Sequence, residues 1–485
     1  DVDLNYKSED VAQARLIKYL QLKHSTALAN TPWTGSGMKK TITGFAARYL
    51  KLKTQLQAEE LKEKVSFEFL TNRPIADDVL ETLEDLAAGA TPRHKAIATL
   101  LTGYCDLPED QVQSFFQLFS AQGGEPDLWD QRNLLSTDSS IFFSEPNSDA
   151  VVHLKDLVSR QATSSGQNDP SIRKSDVLRA FKVDMDQLFP APCQIAAPNF
   201  ELVREQDQQI LRSVLGATSP VVIHADGGVG KSMLSRRLGV SMPAGSMAVV
   251  YDCYGDGLYR NALNLRHRHL DAFVQIANEL AAHGLCHPLI PTSHADTKLL
   301  TRAFQGRLVQ AASLLRARDS TAVLCIIIDA ADNAGMAAEE RQERSFVSDL
   351  IGMKLPDGVR LVFTCRPHRR HYLSASITAL QINLEPFSED ETAKHLQRFY
   401  PAATPKEVRE FALLSSSNPR VQALALAQQL PLEDMLRRLG PTPTTIERTI
   451  SDLLEAAVDR LKEHTVTIEA EQIDVICRCL AVLRP

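Results

Sequence analysis

One run constrains this chain more than any other: Val221-Val-Ile-His-Ala-Asp-Gly-Gly-Val-Gly-Lys-Ser232. A short apolar strand enters a glycine-rich turn, and Lys231 and Ser232 open an amphipathic stretch that runs from Met233 to Leu238. Gly227, Gly228 and Gly230 let backbone N–H groups approach an anion closely, with Val229 between them. The N-terminus of the following helix adds favourable partial charge. Lys231 then reaches the β- and γ-phosphates of a nucleotide, and the Ser232 hydroxyl ligates Mg²⁺. The form GxxxxGK[ST] is met except at its first position, where Ala225 stands in place of glycine. ATP with Mg²⁺ is the expected ligand, bound by residues 227–233.

Two further apolar runs support this reading. Val323-Leu-Cys-Ile-Ile-Ile-Asp329 ends in an acid, which suits a carboxylate holding the water shell of Mg²⁺ at a strand's C-terminal edge. Asp332, three residues on, is placed to orient or deprotonate the attacking water. Arg360-Leu-Val-Phe-Thr-Cys365 leads into Arg366-Pro-His-Arg-Arg370. A cation there, Arg366 above all, suits a γ-phosphate sensor; the alternative is a solvated basic turn. From residue 200 to about 430, apolar runs at 221–225, 247–252, 322–329 and 360–365 alternate with helical patterns. That alternation predicts a parallel sheet in an α/β domain.

A different pattern opens the chain. Asp1 and Asp3 precede the run Leu16-Ile-Lys-Tyr-Leu-Gln-Leu-Lys-His-Ser25. On a strand Gln21 and Lys23 point to the same face. An acid on one strand and a Gln-x-Lys on the next is the arrangement of PD-(D/E)xK nucleases. The carboxylate of Asp1 or Asp3 and the Gln21 side chain would hold a metal ion. Lys23 would position the water that the metal activates. Polar alternation on a half-buried strand produces the same pattern without any chemistry.

The chain divides into four parts by pattern: a nuclease-like α/β region at 1–190 with its core in 1–75 and a helical remainder, a proline-marked linker at 191–200, the α/β domain at 201–430, and a helical or winged-helix region at 431–485. The polar stretch 161–170 reads as a loop. The formal net charge of −7 argues against a uniformly basic coat for nucleic acid. No apolar run reaches the roughly 18 residues of a membrane span. The chain starts at Asp1 and stops at Pro485 within an apolar stretch, so it reads as a piece of a longer protein. Cys477 and Cys479 form a CxC with no second pair; scattered thiols point to a reducing, cytoplasmic setting. His24 and His224 read as packed imidazoles, and Arg266-His-Arg-His269 as a basic cluster facing nucleotide, DNA, a neighbouring subunit or solvent.

The Asp329-Ala-Ala-Asp332 and Thr364-Cys-Arg-Pro367 segments resemble the signal-transducing ATPases with numerous domains (STAND), a group that includes NACHT and NB-ARC proteins. Val250-Tyr-Asp-Cys-Tyr-Gly-Asp-Gly-Leu-Tyr-Arg260 and Asn418-Pro-Arg-Val-Gln422 further resemble antiviral STAND proteins of the AVAST type. Asn333 stands where many of these carry another acid. The resemblance implies a contact from Arg204, and from Gln206, to the adenine or ribose. Asp1/Asp3, residues 21–25, Trp33 and residues 65–72 resemble the double-strand DNA endonuclease domain of antiphage systems. The joint resemblance implies an antiphage ATPase that senses a phage protein of the terminase or portal class through a C-terminal sensor beyond Pro485. It also implies ATP-dependent assembly into a homo-oligomer, a tetramer by analogy, and cleavage of double-stranded DNA without a membrane. The rival readings are a regulatory oligomerising switch with a non-catalytic N-terminal adaptor, and a DNA-translocating or repair ATPase with its own nuclease.

Overall fold

The structure, a computed structural model, describes residues 2–6, 8–145, 148–163, 171–197, 201–292, 296–374 and 379–440, with single positions at 458, 472 and 475. Asp1, most of the loop at 161–170 and nearly all of 441–485 lie outside the described residues. Two compact units divide at Thr137 and Asp138.

In the first unit, β1 (Val2–Tyr6) pairs antiparallel with β2 (Leu16–Lys23). Helices α1 (Lys39–Lys53) and α2 (Ala58–Lys64) lead to β3 (Val65–Thr71), parallel to β2. Helices α3 (Asp77–Ala88), α4 (Lys95–Cys105) and α5 (Glu109–Gln117) lead to β4 (Phe119–Gln122), parallel to β3. The sheet order is β1-β2-β3-β4. β3 shows why: Val65, Phe67, Phe69 and Thr71 are buried while Ser66, Glu68 and Leu70 are only half-buried. Period-two alternation turns its aromatic face into a core shared with Phe45, Phe115, Phe116 and Phe119. β4 lies within a region expected to be mostly helical; four residues are too few to show a strand period.

After α6 (Leu128–Ser140), the second unit holds α7 (Ser148–Ala162), α8 (Lys174–Ala180), α9 (Met185–Leu188) and α10 (Glu205–Gly216). It continues with β5 (Val221–His224), α11 (Lys231–Val240), β6 (Met247–Asp252), α12 (His269–Ala282), α13 (Thr297–Arg318), β7 (Leu324–Asp329), α14 (Ala331–Glu340), α15 (Phe346–Ile351), β8 (Val359–Cys365) and β9 (Leu380–Asn383). Helices α16 (Glu389–Gln397), α17 (Pro405–Leu414), α18 (Pro419–Leu426) and α19 (Leu432–Leu439) follow. The strands form one parallel sheet in the order β6-β7-β8-β5-β9. β7 is buried along its whole length, with Leu324, Ile326 and Ile328 in one core and Cys325 and Ile327 in the other. A strand covered on both faces reads as a continuous apolar run, which is how it stood out in the sequence.

The division at 137/138 differs from the boundary expected at 190. Helices α7 to α9 group with the second unit because their apolar faces pack there: Ala150, Leu178 and Leu188 share a cluster with Ile290. The Asn278 amide donates to the carbonyls of Leu188 and Leu289, both at 2.9 Å, and the Gln275 side chain accepts from Ala191 N at 2.9 Å. Prolines and polar stretches mark loops; they do not say which core a helix joins.

Candidate functional site

The turn between β5 and α11 has the geometry its glycines predict. Gly228 and Gly230 sit at φ +79° and +105°, in the left-handed region that L side chains rarely adopt. The Lys231 ammonium folds back over the loop and donates to the carbonyls of Ala225 at 2.6 Å and Asp226 at 2.9 Å. Burial pulls its pKa down, and Asp332 and Asp329 oppose the shift.

Asp329 ends β7 fully buried, and three hydroxyls converge on it. Ser232 Oγ donates to Oδ2 at 2.6 Å, and Ser235 Oγ and Thr364 Oγ1 donate to Oδ1 at 2.7 and 2.8 Å. Thr364 Oγ1 also accepts from Ala330 N at 2.8 Å. Burial raises the Asp329 carboxyl pKa, and the hydroxyls oppose it by stabilising the anion. Sequence reasoning assigns neither Ser235 nor Thr364 a role at this carboxylate; Thr364 stands only within the 364–367 segment. Ser235 carried one local signal, its place one helical turn after Ser232.

Asp332, in the first turn of α14, is buried beside Arg369, with Nη1 3.7 Å from Oδ2. That oxygen has no hydrogen-bond partner among the described residues. Burial raises its carboxyl pKa against the charges of Arg366, Arg369 and Lys231. Asp332, Arg366, Met233 and the loop at 227–232 line one cleft of about 530 Å³. Ser232 Oγ, Asp329 and the Asp332 oxygen that accepts no hydrogen bond are hard oxygen donors that suit Mg²⁺.

Arg204 lines the same cleft, but its donors go to protein. Nη2 donates to the carbonyls of Glu385 at 2.6 Å and Pro386 at 2.8 Å and pairs with Glu391 at 3.3 Å. Nη1 reaches Val229 O at 3.4 Å, and the guanidinium lies 5.1 Å from the Phe387 ring centroid. It therefore ties the phosphate loop to residues 385–391. Gln206 accepts from Glu385 N at 3.1 Å. The basic run at 266–269 is mostly internal: Arg266 and His267 are buried, and His267 and Arg268 both meet Glu343 while His269 meets Asp349.

The family model for the NACHT domain matches residues 219–403, the segment that carries the loop, β7 and the cleft acids. Residues 219–403 form a NACHT domain. The chain thus carries a STAND-type NTPase, an ATPase module with a P-loop. Among solved structures it is similar to a Walker-type ATPase of Pyrococcus abyssi, with TM-score 0.34 and 15% identity over 55% of this chain and 77% of that one. It is also similar to a STAND protein with a tetratricopeptide repeat sensor from Pyrococcus horikoshii, with TM-score 0.28 and 14% identity over 54% of this chain. The match spans 33% of that second protein's length. No curated protein matches. Among the described residues no helix is long and apolar enough to cross a membrane.

In the first unit, Asp3 lies opposite Tyr19, Gln21 opposite Phe69 and Lys23 opposite Thr71. Asp3, Gln21 and Lys23 therefore share one sheet face. The Asp3 carboxylate is paired with Arg48, whose guanidinium also lies 4.8 Å from the Tyr19 ring centroid. Gln21 is buried and its Oε1 has no hydrogen-bond partner among the described residues, whereas Lys23 is exposed at the strand end. Asp1, the alternative acid, lies outside the described residues.

Proposed function

We propose that this chain is an ATP-driven switch in which the NACHT module controls a DNA-cleaving N-terminal unit, as part of an antiviral response. One observation carries the switch: the Lys231 ammonium rests on the carbonyls of Ala225 and Asp226, on a loop that α18 also grips. Asn418 Nδ2 donates to Gly227 O at 3.0 Å, and Arg420 N to Gly228 O at 3.1 Å. Triphosphate oxygens draw Lys231 away from those carbonyls, and the loop transmits the change to α16–α19. Mg²⁺, held by Ser232 and the water shell on Asp329 and Asp332, neutralises charge on the β- and γ-phosphates. Arg366 senses the γ-phosphate.

The nuclease reading is supported by the shared face of Asp3, Gln21 and Lys23 and by the unpartnered Gln21 oxygen. Double-stranded DNA is the substrate and a divalent metal the cofactor. A phage protein, recognised through a C-terminal sensor, is the trigger. It shifts the equilibrium by its differential affinity for the two states. Assembly into a homo-oligomer, a tetramer, brings together the two metal sites that cutting both strands requires. The protein acts in the cytoplasm. A second reading, a non-catalytic adaptor, is favoured by the Asp3–Arg48 pair, which neutralises the acid a metal needs.

Plasmid cleavage by the full-length protein with ATP, Mg²⁺ and candidate phage proteins separates the readings. Lys23→Ala is expected to stop cleavage while ATP binding persists. Cleavage by that variant at the wild-type rate excludes Lys23; no cleavage by any form, with nucleotide-dependent assembly intact in light scattering, establishes the adaptor.

A further inference from the structure

Five arginine and lysine side chains line the nucleotide cleft among the described residues: Arg204, Lys231, Arg237, Arg366 and Arg420. Four of them act on groups of the protein. Arg204 is tied to Glu391 and to the carbonyls of Glu385 and Pro386. Arg237 donates to the Asp207 carboxylate at 2.6 and 3.1 Å and lies 3.5 Å from Glu201. Lys231 rests on the carbonyls of Ala225 and Asp226. Arg366 stabilises the charged form of Asp332. Arg420 differs: it is exposed, and its guanidinium meets no carboxylate, carbonyl or ring among the described residues.

An exposed arginine surrounded by water is ordinary. What sets this one apart is where its backbone is fixed. Arg420 N donates to Gly228 O at 3.1 Å and to Asn418 Oδ1 at 3.0 Å. A Cβ on Gly228 would stand 3.0 Å from the Arg420 Cβ. The side chain therefore leaves the main chain against the phosphate loop itself. Its helix is anchored on the other side, where Val421, Ala425 and Leu426 share a core with Leu396 of α16, Phe411 of α17 and Met435 of α19. Of the five cleft cations, Arg420 alone is carried by α16–α19.

We propose that Arg420 binds the γ-phosphate of ATP and thereby couples the nucleotide to α16–α19. The proposal rests on the ATPase reading of the cleft. The backbone N–H groups of a phosphate loop take the α- and β-phosphate oxygens, so the γ-phosphate keeps oxygens for side chains. A guanidinium fork meets two such oxygens at once, as an ammonium does not. Lys231 and Arg366 approach from the loop and from the end of β8, and Arg420 approaches from the helical layer. With ATP bound, the phosphate is held between the sheet and α18. With ADP the acceptor is gone, the Arg420 head group returns to water, and the backbone bond to Gly228 is what remains between α18 and the loop's apex.

The test titrates the full chain, in calorimetry with Mg²⁺, with the β,γ-imido analogue of ATP and with ADP. Arg420→Ala is expected to bind the analogue about ten- to a hundredfold more weakly and ADP within about threefold of wild type. Arg420→Lys, which keeps the charge without the fork, is expected to fall between the two. The melting temperature without nucleotide is expected to stay within about 2 °C of wild type, because the side chain is exposed and the backbone bond to Gly228 survives the change. In the unaltered chain the analogue is expected to slow amide exchange across residues 419–426 more than ADP does; in Arg420→Ala the two nucleotides protect that segment equally. Analogue binding by Arg420→Ala within about threefold of wild type overturns the assignment, as does equal weakening of both nucleotides or a lowered melting temperature in their absence. Any of these results leaves the ATPase reading in place, whereas absence of nucleotide binding by the unaltered chain overturns both.

Discussion

Asn418 and Gly228 are in direct contact: a Cβ on Gly228 would stand 2.6 Å from Asn418 Oδ1. The same side chain donates Nδ2 to Gly227 O at 3.0 Å, and its Oδ1 caps α18 by accepting from Arg420 N and Val421 N at 3.0 and 3.3 Å. One asparagine thus ends the α17–α18 turn and fixes the phosphate loop. Gly228→Ala must both displace Asn418 and hold φ +79°, whereas a Cβ on Gly227 meets nothing within 4 Å. Gly228→Ala is expected to lower stability by about 2 kcal/mol or more and Gly227→Ala by less than about 1 kcal/mol. Thermal melts without nucleotide decide this; equal melting temperatures for the two would contradict the contact. Asn418→Ala, which loses the cap, should cost about 1 kcal/mol in the same assay.

Lys231→Ala removes the cation that meets the phosphates. A charge-assisted hydrogen bond of about 1.5–3 kcal/mol corresponds to a ten- to hundredfold weaker ATP affinity. Calorimetric titration with ATP and Mg²⁺ reads it, and an unchanged affinity removes the phosphate-loop assignment.

Thr364→Val keeps the shape of the side chain but leaves Asp329 Oδ1 short of one donor and Ala330 N without its acceptor. Buried unmet groups of this kind cost about 1–3 kcal/mol each. The denaturant midpoint is expected to fall with an unchanged m-value, and Thr364→Ser to restore most of the loss. A valine variant as stable as wild type would show that Ser232 and Ser235 suffice.

Asp271, in the first turn of α12, has its carboxyl pKa pushed up to about 6 by burial, against the opposing charge of Arg268. Because the folded state binds this proton more tightly than the unfolded chain does, the group's contribution to stability is complete below about pH 4. It is lost as pH rises through about 6. Asp271→Asn removes that slope and is expected to stabilise the protein at pH 7 by about 2 kcal/mol, with allowance for solvent screening, and by little at pH 4. Unfolding curves at the two pH values check the sign; a variant that is less stable at pH 7 refutes it.

What was legible in the sequence was local. The 221–232 run encodes its own strand, left-handed turn and helix start, because glycine tolerance, apolar burial and the helix N-terminus are properties of neighbouring residues. β7 declared itself by six consecutive buried positions ending in Asp329, and β3 by its period of two. Gln21 and Lys23 were placed on one face by the same period. The tertiary structure alone decided which distant groups complete the site. Ser235 and Thr364 reach Asp329 across 94 and 35 residues, and Asn418 reaches Gly227 across 191. It also decided that Arg266 and His267 turn inward to Asp252 and Glu343, although four charged or ionisable residues in a row read as surface. Helices α7 to α9 joined the second unit for the same reason. A side chain's partner across a parallel sheet or a packed core is set by the global burial of apolar surface, and no window of sequence contains both sides of that contact.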